Sequence, residues 1–331
     1  MIFSRTKDEF ETQKERWSRR KTRFRILVCI DGSEESYESV KHAAQIGSNG
    51  GCDIILLYVR QVDQGLRSGG LQVRVARQNM MEWGLDLPGI QYLKRGLEIL
   101  VNNGISIDET DMLVGHSDAW GDPLGDNKIE YKNKQGQSIV LKLKTAPDVS
   151  TGILDQCELG PYNLMILGEP SRWRSRWNAF WGAGVVQKVV MVAPCSVLVT
   201  RKNEALPKKK GHLIYTDGSP LSLKAAIQDA VLAKHCKFPC TILGIVDEEK
   251  QLAGLKKKLT TTKEKLAVLG IKPRNVISCV GNPVIELLSR SDGFYVLSIS
   301  EPEPGKIRRL VSKNIALKMM EKADISILNV R

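Results

Sequence analysis

One segment of this chain occurs twice, and the duplication limits the fold more than any other feature of the sequence. Each copy opens with a short apolar run that ends in Asp-Gly-Ser, at Asp31 in the first copy and at Asp217 in the second. Each copy closes with another apolar run, which reaches Arg201 in the first copy and Arg331 in the second. A repeated unit with an apolar strand at both ends predicts two domains of the same architecture in tandem.

Strand-like and helix-like patterns alternate through both copies. Runs such as Cys52–Val59, in which Asp53 is the one charged residue, and Leu164–Leu167 are of the apolar type expected for strands that helices cover on both faces of a sheet. Segments such as Tyr92–Asn102 instead show helical spacing. Because alternating strands and helices favour parallel sheets, we predict an α/β fold for each copy.

The repeat also suggests where the domains begin and end. We divide the chain into a basic N-terminal extension (1–22), a first domain (23–201), a linker (202–211) and a second domain (212–331). The first copy is longer, and its extra residues fall near 61–83 and 115–144. The second of these insertions is predicted to contain a hairpin that turns at Asn133–Gly136. Both insertions could serve as partner surfaces or as lids, and the residues do not favour either.

Composition excludes several classes of protein. The formal net charge of +12 suits acidic partners such as nucleotides, nucleic acid or anionic lipids, but it equally serves solubility. Seven cysteines without framework spacing indicate reduced thiols. Since no apolar run is long enough to span a bilayer, we expect a cytoplasmic protein without an integral membrane segment. We predict no nucleic-acid partner, and the segment 235–240 has too few ligands for a metal site.

The first candidate site residues follow the opening strand of the first copy. In a parallel sheet, ligands bind at the carboxyl ends of the strands. There Asp31 could accept hydrogen bonds from a base or a ribose, and Gly32 would allow a ligand to approach the backbone. Ser33 could contribute to the same site, or it could only cap the helix that follows.

A second group of candidates lies late in the first copy. Gly168 and Ser171 follow an apolar strand, and Gly182 and Gly184 open a predicted helix, whose N-terminal N–H groups would attract a phosphate. Arg172 supplies positive charge between them, and Val185 completes the set. Four aromatic residues share this Arg-rich loop, and they could stack on a base, contact a membrane surface, dock the loop or form an interface.

Together these motifs resemble the universal stress protein family. The resemblance rests on the Asp-Gly-Ser strand ends, the glycine-containing loop from Gly168, the closing motif at Ala193–Val199 and the turn at Gly281–Pro283. It implies two tandem Rossmann-like domains of the adenine nucleotide alpha hydrolase-like type, each with a mostly parallel five-stranded sheet and helices on both faces. Family members pair through their last strand, which implies intramolecular pairing of the two halves here and allows a homodimer.

The resemblance also implies a ligand. Many members bind ATP or AMP, and many others bind no nucleotide. Nucleotide binding here would place Asp31 at the adenosine and the backbone of Gly168, Ser171 and Gly184 at the phosphates, with help from Arg172. In the second copy Ser298 is aligned with the first glycine of the loop, so no nucleotide is expected there. No metal is implied beyond a nucleotide-associated Mg²⁺.

The sequence leaves three functions open. The leading hypothesis is a non-catalytic cytosolic stress or regulatory protein that binds an adenine nucleotide in its first domain. The alternative is a nucleotide-free scaffold that uses the insertions and the Arg- and Trp-rich loop to contact a protein or a membrane surface. Weak ATP hydrolysis is the third, although neither a Gly-x-Ser-x-Gly elbow nor a Walker-type loop occurs in the sequence.

Overall fold

The computed structural model describes residues 22–48, 51–62, 88–119, 122–133, 136–169, 182–201, 210–300 and 308–331. Predictions for the N-terminal extension, the insertion near 61–83 and the linker fall almost wholly outside these ranges. All seven cysteines lie within them, and none is paired in a disulfide. No helix in these ranges is both long and apolar enough to cross a bilayer.

The described strands form one twelve-stranded sheet. In chain order they are β1 (Phe24–Cys29), β2 (Cys52–Gln61), β3 (Asp108–Ala119), β4 (Asp122–Lys132), β5 (Ser138–Ala146), β6 (Leu164–Gly168), β7 (Ser196–Thr200), β8 (His212–Thr216), β9 (Cys240–Val246), β10 (Asn275–Val280), β11 (Val296–Ser300) and β12 (Ser326–Val330). The spatial order is β10-β9-β8-β11-β12-β7-β6-β1-β2-β5-β4-β3.

The helices in the described ranges connect these strands. They are α1 (Glu34–Gly47), α2 (Pro88–Asn102), α3 (Val149–Glu158), α4 (Gly182–Val192), α5 (Pro220–His235), α6 (Glu249–Val268), α7 (Pro283–Arg290) and α8 (Arg308–Lys322). Buried side chains of α1 and α2 pack on one face of the sheet, and those of α3 and α4 pack on the other. The predicted α/β fold, with helices on both faces of a mostly parallel sheet, is confirmed.

The two copies have the same strand order. The first copy runs β5-β2-β1-β6-β7 and the second runs β10-β9-β8-β11-β12, and within each copy these strands are parallel. In each, the opening strand lies at the centre, because the chain adds two strands on one side of it before crossing to the other side. This crossing is the switch point at which parallel sheets bind ligands.

The copies join through their last strands. β12 pairs antiparallel with β7, with Leu328 opposite Leu198 at the middle of the seam. One apolar core spans the seam, and it contains the fully buried Val189 of α4 and Met319 of α8. Burying side chains of this size stabilises a fold by roughly 1.5–3 kcal/mol each, so the halves are held together by a shared core as well as by the sheet.

The structure divides residues 115–144 between two roles. β5 pairs in parallel with β2 and is the third parallel strand of the first copy. β3 and β4 form an antiparallel hairpin that is added to the outer edge of β5. The predicted turn is present: Gly136 N–H donates to Asn133 O over 2.8 Å, with Gly136 at φ +73°. The added element is therefore Asp108–Lys132, since Ser138–Ala146 belongs to the central sheet.

Candidate ligand-binding site

The first copy ends its central strand in a turn that orients Asp31. Asp31 Oδ1 accepts hydrogen bonds from Ser33 N–H at 2.9 Å and from Ser33 Oγ at 2.5 Å. Ser33 is the N-cap of α1, because its Oγ accepts a hydrogen bond from Ser36 N–H at 3.1 Å. The capping role predicted for Ser33 is therefore present, and a ligand role for Asp31 would use a carboxylate that the turn already holds in place.

The second copy builds the same turn. Asp217 Oδ1 accepts hydrogen bonds from Ser219 N–H at 2.9 Å and from Ser222 Oγ at 2.7 Å. Ser219 caps α5 as Ser33 caps α1. Gly32 and Gly218 both have a positive φ, +89° and +76°. Each copy thus needs its glycine for the backbone conformation of the turn, whether or not a ligand binds.

The two turns lie beneath different side chains. A Cβ atom built on Gly32 would lie 2.7 Å from Cζ of Tyr92, on α2. A Cβ atom built on Gly218 would lie 2.9 Å from Cδ1 of Leu255 and 3.9 Å from Nζ of Lys258, both on α6. Tyr92 and Lys258 are equivalent, because each directly precedes a buried leucine of its helix (Leu93 and Leu259). An aromatic ring in the first copy is therefore replaced by a cation in the second.

The two copies also differ where the second strand of each copy packs against the helix that follows it. In the first copy, Tyr58 of β2 packs against Gly89 of α2, where an added Cβ would lie 2.4 Å from the ring. In the second copy, Gly244 of β9 and Leu255 of α6 stand at the equivalent positions, and a Cβ on Gly244 would lie 2.9 Å from Leu255 Cδ2. The large side chain is on the strand in the first copy and on the helix in the second. The floors of the two clefts are consequently shaped differently.

The second cleft contains a cavity of about 460 Å³ at the carboxyl ends of β8 and β9. Its volume is within the range of small-molecule sites, which is roughly 300–1,000 Å³. Ile245, Leu255 and Pro283 give it apolar walls. Its polar groups come from four elements or turns and include Asp217, Asp247, Lys258 and Asn282. Asn282 also caps α7, since its Oδ1 accepts a hydrogen bond from Val284 N–H at 3.0 Å.

Charge near the two turns also differs. α1 carries Glu34 and Glu35 in its first turn, whereas α5 carries no acidic residue there. Glu34 is paired with Arg95 of α2 at 3.1 Å. Because carboxylates at a helix N-terminus offset its partial positive charge, the start of α5 presents a more favourable field to an anion than the start of α1.

Comparison with known proteins shows a likeness to one family in part of the chain. Residues 22–85 match the model of the universal stress protein family. The predicted resemblance to the universal stress proteins is confirmed. No curated protein matches the sequence.

Solved structures extend the likeness over nearly the whole chain. A universal stress protein from Archaeoglobus fulgidus DSM 4304 has a TM-score of 0.60 at 12% identity, over 93% of this chain and 98% of that one. A protein of Pseudomonas aeruginosa UCBPP-PA14, described as a member of the same family, has a TM-score of 0.55 at 13% identity, over 94% of both chains. A functionally unknown protein from P. aeruginosa PAO1 reaches 0.54 at 13% identity, over 95% of this chain and 94% of its own. Identities this low show a shared fold and leave the function to be argued from the clefts.

Gly168 lies at the same end of the sheet as Asp31, as predicted. A Cβ atom on Gly168 would lie 2.7 Å from the backbone of Glu35 and Ser36, so the glycine lets α1 pack closely on β6. This packing explains the residue without any phosphate. The alignment of Ser298 with Gly168 is wrong, because Gly168 pairs with Thr200 whereas Ser300 pairs with the equivalent Val330. The strand register therefore places Ser300 at that position.

The remaining predicted residues are only partly described. α4 begins at Gly182, as the sequence predicts, and an added Cβ on Gly184 would meet nothing within 4 Å. Val185 is half-buried and packs against the apolar core. Ser171, Arg172 and the rest of the Arg- and Trp-rich loop lie outside the described residues. The roles of these residues toward a ligand stay predictions.

Sequence reasoning missed the residues that distinguish the second cleft. Lys258 and Asp247 belong to no family motif, and Asn282 lies in the Gly281–Pro283 turn without having been assigned to a site; the cavity brings the three together from separate parts of the chain. One signal could have found Lys258. The Gly-Ile pairs that follow α2 and α6, at Gly104 and Gly270, align the two helices and set Lys258 opposite Tyr92. In the described ranges, no three His, Cys, Asp or Glu residues are grouped to hold a metal ion.

Proposed function

We propose that this protein is a non-catalytic regulatory protein of the universal stress type, and that it binds an adenine nucleotide in its second cleft. The observation that carries the proposal is the cavity of about 460 Å³ at the switch point of the second copy. Its apolar walls suit the face of a purine. Its carboxylate, amide and ammonium groups suit the hydroxyl and phosphate groups of a nucleotide.

The proposal moves the leading site from the first copy to the second. In the first copy, the Tyr92 ring lies over Gly32 and two carboxylates open the helix behind it. The two carboxylates oppose the approach of an anionic ligand to this turn. The first-copy set from Asp31 to Val185 remains the competing assignment, since part of its wall falls outside the described residues.

The role assigned to Asp217 is positioning and recognition, without chemistry. Its Oδ1 atom already accepts two hydrogen bonds from its own turn, which fix the carboxylate at the edge of the cavity. A carboxylate held in this way can accept a hydrogen bond from a ribose hydroxyl or a base amine. A Mg²⁺ ion would enter only with the phosphates of its nucleotide.

A nucleotide-free scaffold is the second candidate, and one observation favours it. β3 is an edge strand of the twelve-stranded sheet, and its consecutive residues Met112, Leu113 and Val114 are 47%, 54% and 70% exposed. Exposed apolar residues on an edge strand are suited to contact with another chain. This surface is compatible with ligand binding in the second cleft.

Cavity filling tests the proposal. Gly254 lines the cavity from α6, and an added Cβ there would meet nothing within 4 Å, so Gly254→Phe would project a ring into the cavity from a tolerant position. We expect calorimetric titration with ATP and AMP to show binding by the natural protein and by Gly254→Ala, and loss of binding in Gly254→Phe. Gly184→Phe is the matched change for the first cleft. Loss of binding in Gly184→Phe alone would assign the nucleotide site to the first copy. Absence of binding by the natural protein would refute the nucleotide site and favour the nucleotide-free scaffold.

A further inference from the structure

The two clefts differ in charge at one pair of equivalent positions, Tyr92 and Lys258. We propose that Lys258 makes the second cleft selective for ligands that carry a phosphate group over the same ligands without it. This inference rests on the proposed function, and it names the residue that would set the ligand class of that site.

Lys258 lies where it can reach a ligand in the cavity. Its Cδ and Nζ atoms are 3.5 Å and 3.9 Å from the position of a Cβ on Gly218, and its side chain lines the cavity wall. Its position on α6 is set by packing, because the next residue, Leu259, is buried. The ammonium group thus lies beside the Gly218 turn, at the wall of the cavity.

The other charges of the cleft favour a ligand with two chemically different ends. Asp217 and Asp247 also line the cavity, and their carboxylates would repel a phosphate placed against them. They would instead accept hydrogen bonds from hydroxyl or amine groups. A ligand with neutral donors at one end and a phosphate at the other satisfies both sets, and a nucleoside monophosphate has this form.

Neighbouring lysines provide the control. Lys256, Lys257 and Lys258 are consecutive and exposed on α6, but among them only Lys258 lines the cavity. Removing the charge of Lys257 changes the net charge of the protein as much as removing that of Lys258. A long-range electrostatic effect would therefore appear in both variants, and a contact in the cavity would appear only in one.

The test is calorimetric titration of AMP and adenosine into the natural full chain, Lys258→Gln and Lys257→Gln. We expect Lys258→Gln to weaken AMP binding by about five- to tenfold and to leave adenosine binding unchanged, with Lys257→Gln like the natural protein. The salt dependence of AMP binding should also become shallower in Lys258→Gln only.

Other outcomes separate this inference from the proposed function. Equal AMP affinity in Lys258→Gln and the natural protein would overturn the inference and leave the nucleotide site standing. An equal loss in Lys257→Gln would overturn it as well, by showing a general charge effect. If the natural protein bound neither AMP nor adenosine, both the site and the selectivity would be refuted. Because Lys258 is exposed, its substitution should leave the unfolding transition unchanged, which circular dichroism would verify.

Discussion

The backbone N–H of Arg201, just beyond β7, donates a hydrogen bond to Oγ of Ser326, the first residue of β12, over 3.2 Å. The same contact occurs with the copies exchanged, since Arg331 N–H donates to Ser196 Oγ over 3.1 Å. Each copy therefore caps the last strand of the other. The reciprocal pair extends the seam by one contact at each end, as expected for an interface with approximate two-fold symmetry.

Removing these hydroxyls should weaken the seam. We expect Ser326→Ala to lower the free energy of unfolding by about 1–2 kcal/mol, because it leaves the buried N–H of Arg201 without this acceptor. Ser196→Ala should cost less, since Ser196 is only half-buried. Chemical denaturation measures both changes. Ser289→Ala, on the exposed side of α7, is a control for which the change should stay within about 0.5 kcal/mol. An effect of Ser326→Ala no larger than this control would show that the contact does not stabilise the seam.

The strand-to-helix exchange predicts a coupled pair of substitutions. Gly89→Ala alone should destabilise the first copy by about 1–3 kcal/mol, because the new Cβ would lie 2.4 Å from the Tyr58 ring. In a Tyr58→Ala background the same substitution should cost little, since the ring is gone. A double-mutant cycle by urea denaturation measures the coupling. Additive effects of the two changes would contradict the proposed contact.

Two glycines of the predicted phosphate loop should respond in opposite ways to alanine. Gly168→Ala should destabilise the protein by about 1–3 kcal/mol, because its Cβ would meet the backbone of α1 at 2.7 Å. Gly184→Ala should be neutral or stabilise by up to about 1 kcal/mol, because the site is open and alanine favours a helix. Thermal unfolding without added ligand compares the two. Equal effects would mean that Gly168 has no special role in packing.

Asp148 should make stability depend on pH. It is the N-cap of α3, and hydrogen bonds from Ser150 and Thr151 lower the pKa of its carboxyl from 3.8 to about 2. A lowered pKa in the folded state means that the stabilisation is complete above about pH 4 and is lost as the pH falls toward 2.

We therefore expect Asp148→Ala to lower the free energy of unfolding by about 0.5–1 kcal/mol at pH 7, near the lower end for helix caps because its side chain is 47% exposed. The difference from the natural protein should shrink between pH 4 and pH 2. Denaturation curves across this interval provide the measurement, and Asp148→Asn, which keeps a capping oxygen, should lose less at neutral pH. A difference independent of pH would rule out the charged cap.

The repeat in the sequence determined the architecture. Two matching apolar strands in each copy predicted the tandem α/β fold, and the hairpin turn at Asn133–Gly136 was visible in the residues. These predictions succeeded because strand alternation, turn residues and burial are local properties that the residues carry with them. The alignment of Ser298 with Gly168 failed because the register of a strand is not a local property. A late strand has no local mark of its register, and only pairing with β8 and β12 sets Ser300 opposite Val330.

The difference between the two clefts was decided by the tertiary structure. The sequence marks both Asp-Gly-Ser turns alike, and it favoured the first because that copy keeps more of the family's glycines. The residues that distinguish them, Tyr92 with Gly89 and Lys258 with Leu255, lie on helices without a motif. Their effect depends on which atoms meet above each turn, because an aromatic ring over Gly32 and an ammonium group beside Gly218 arise from packing between distant segments. Sequence periodicity determines which face of a helix is buried, but only the packed fold determines whether a cavity remains beneath it.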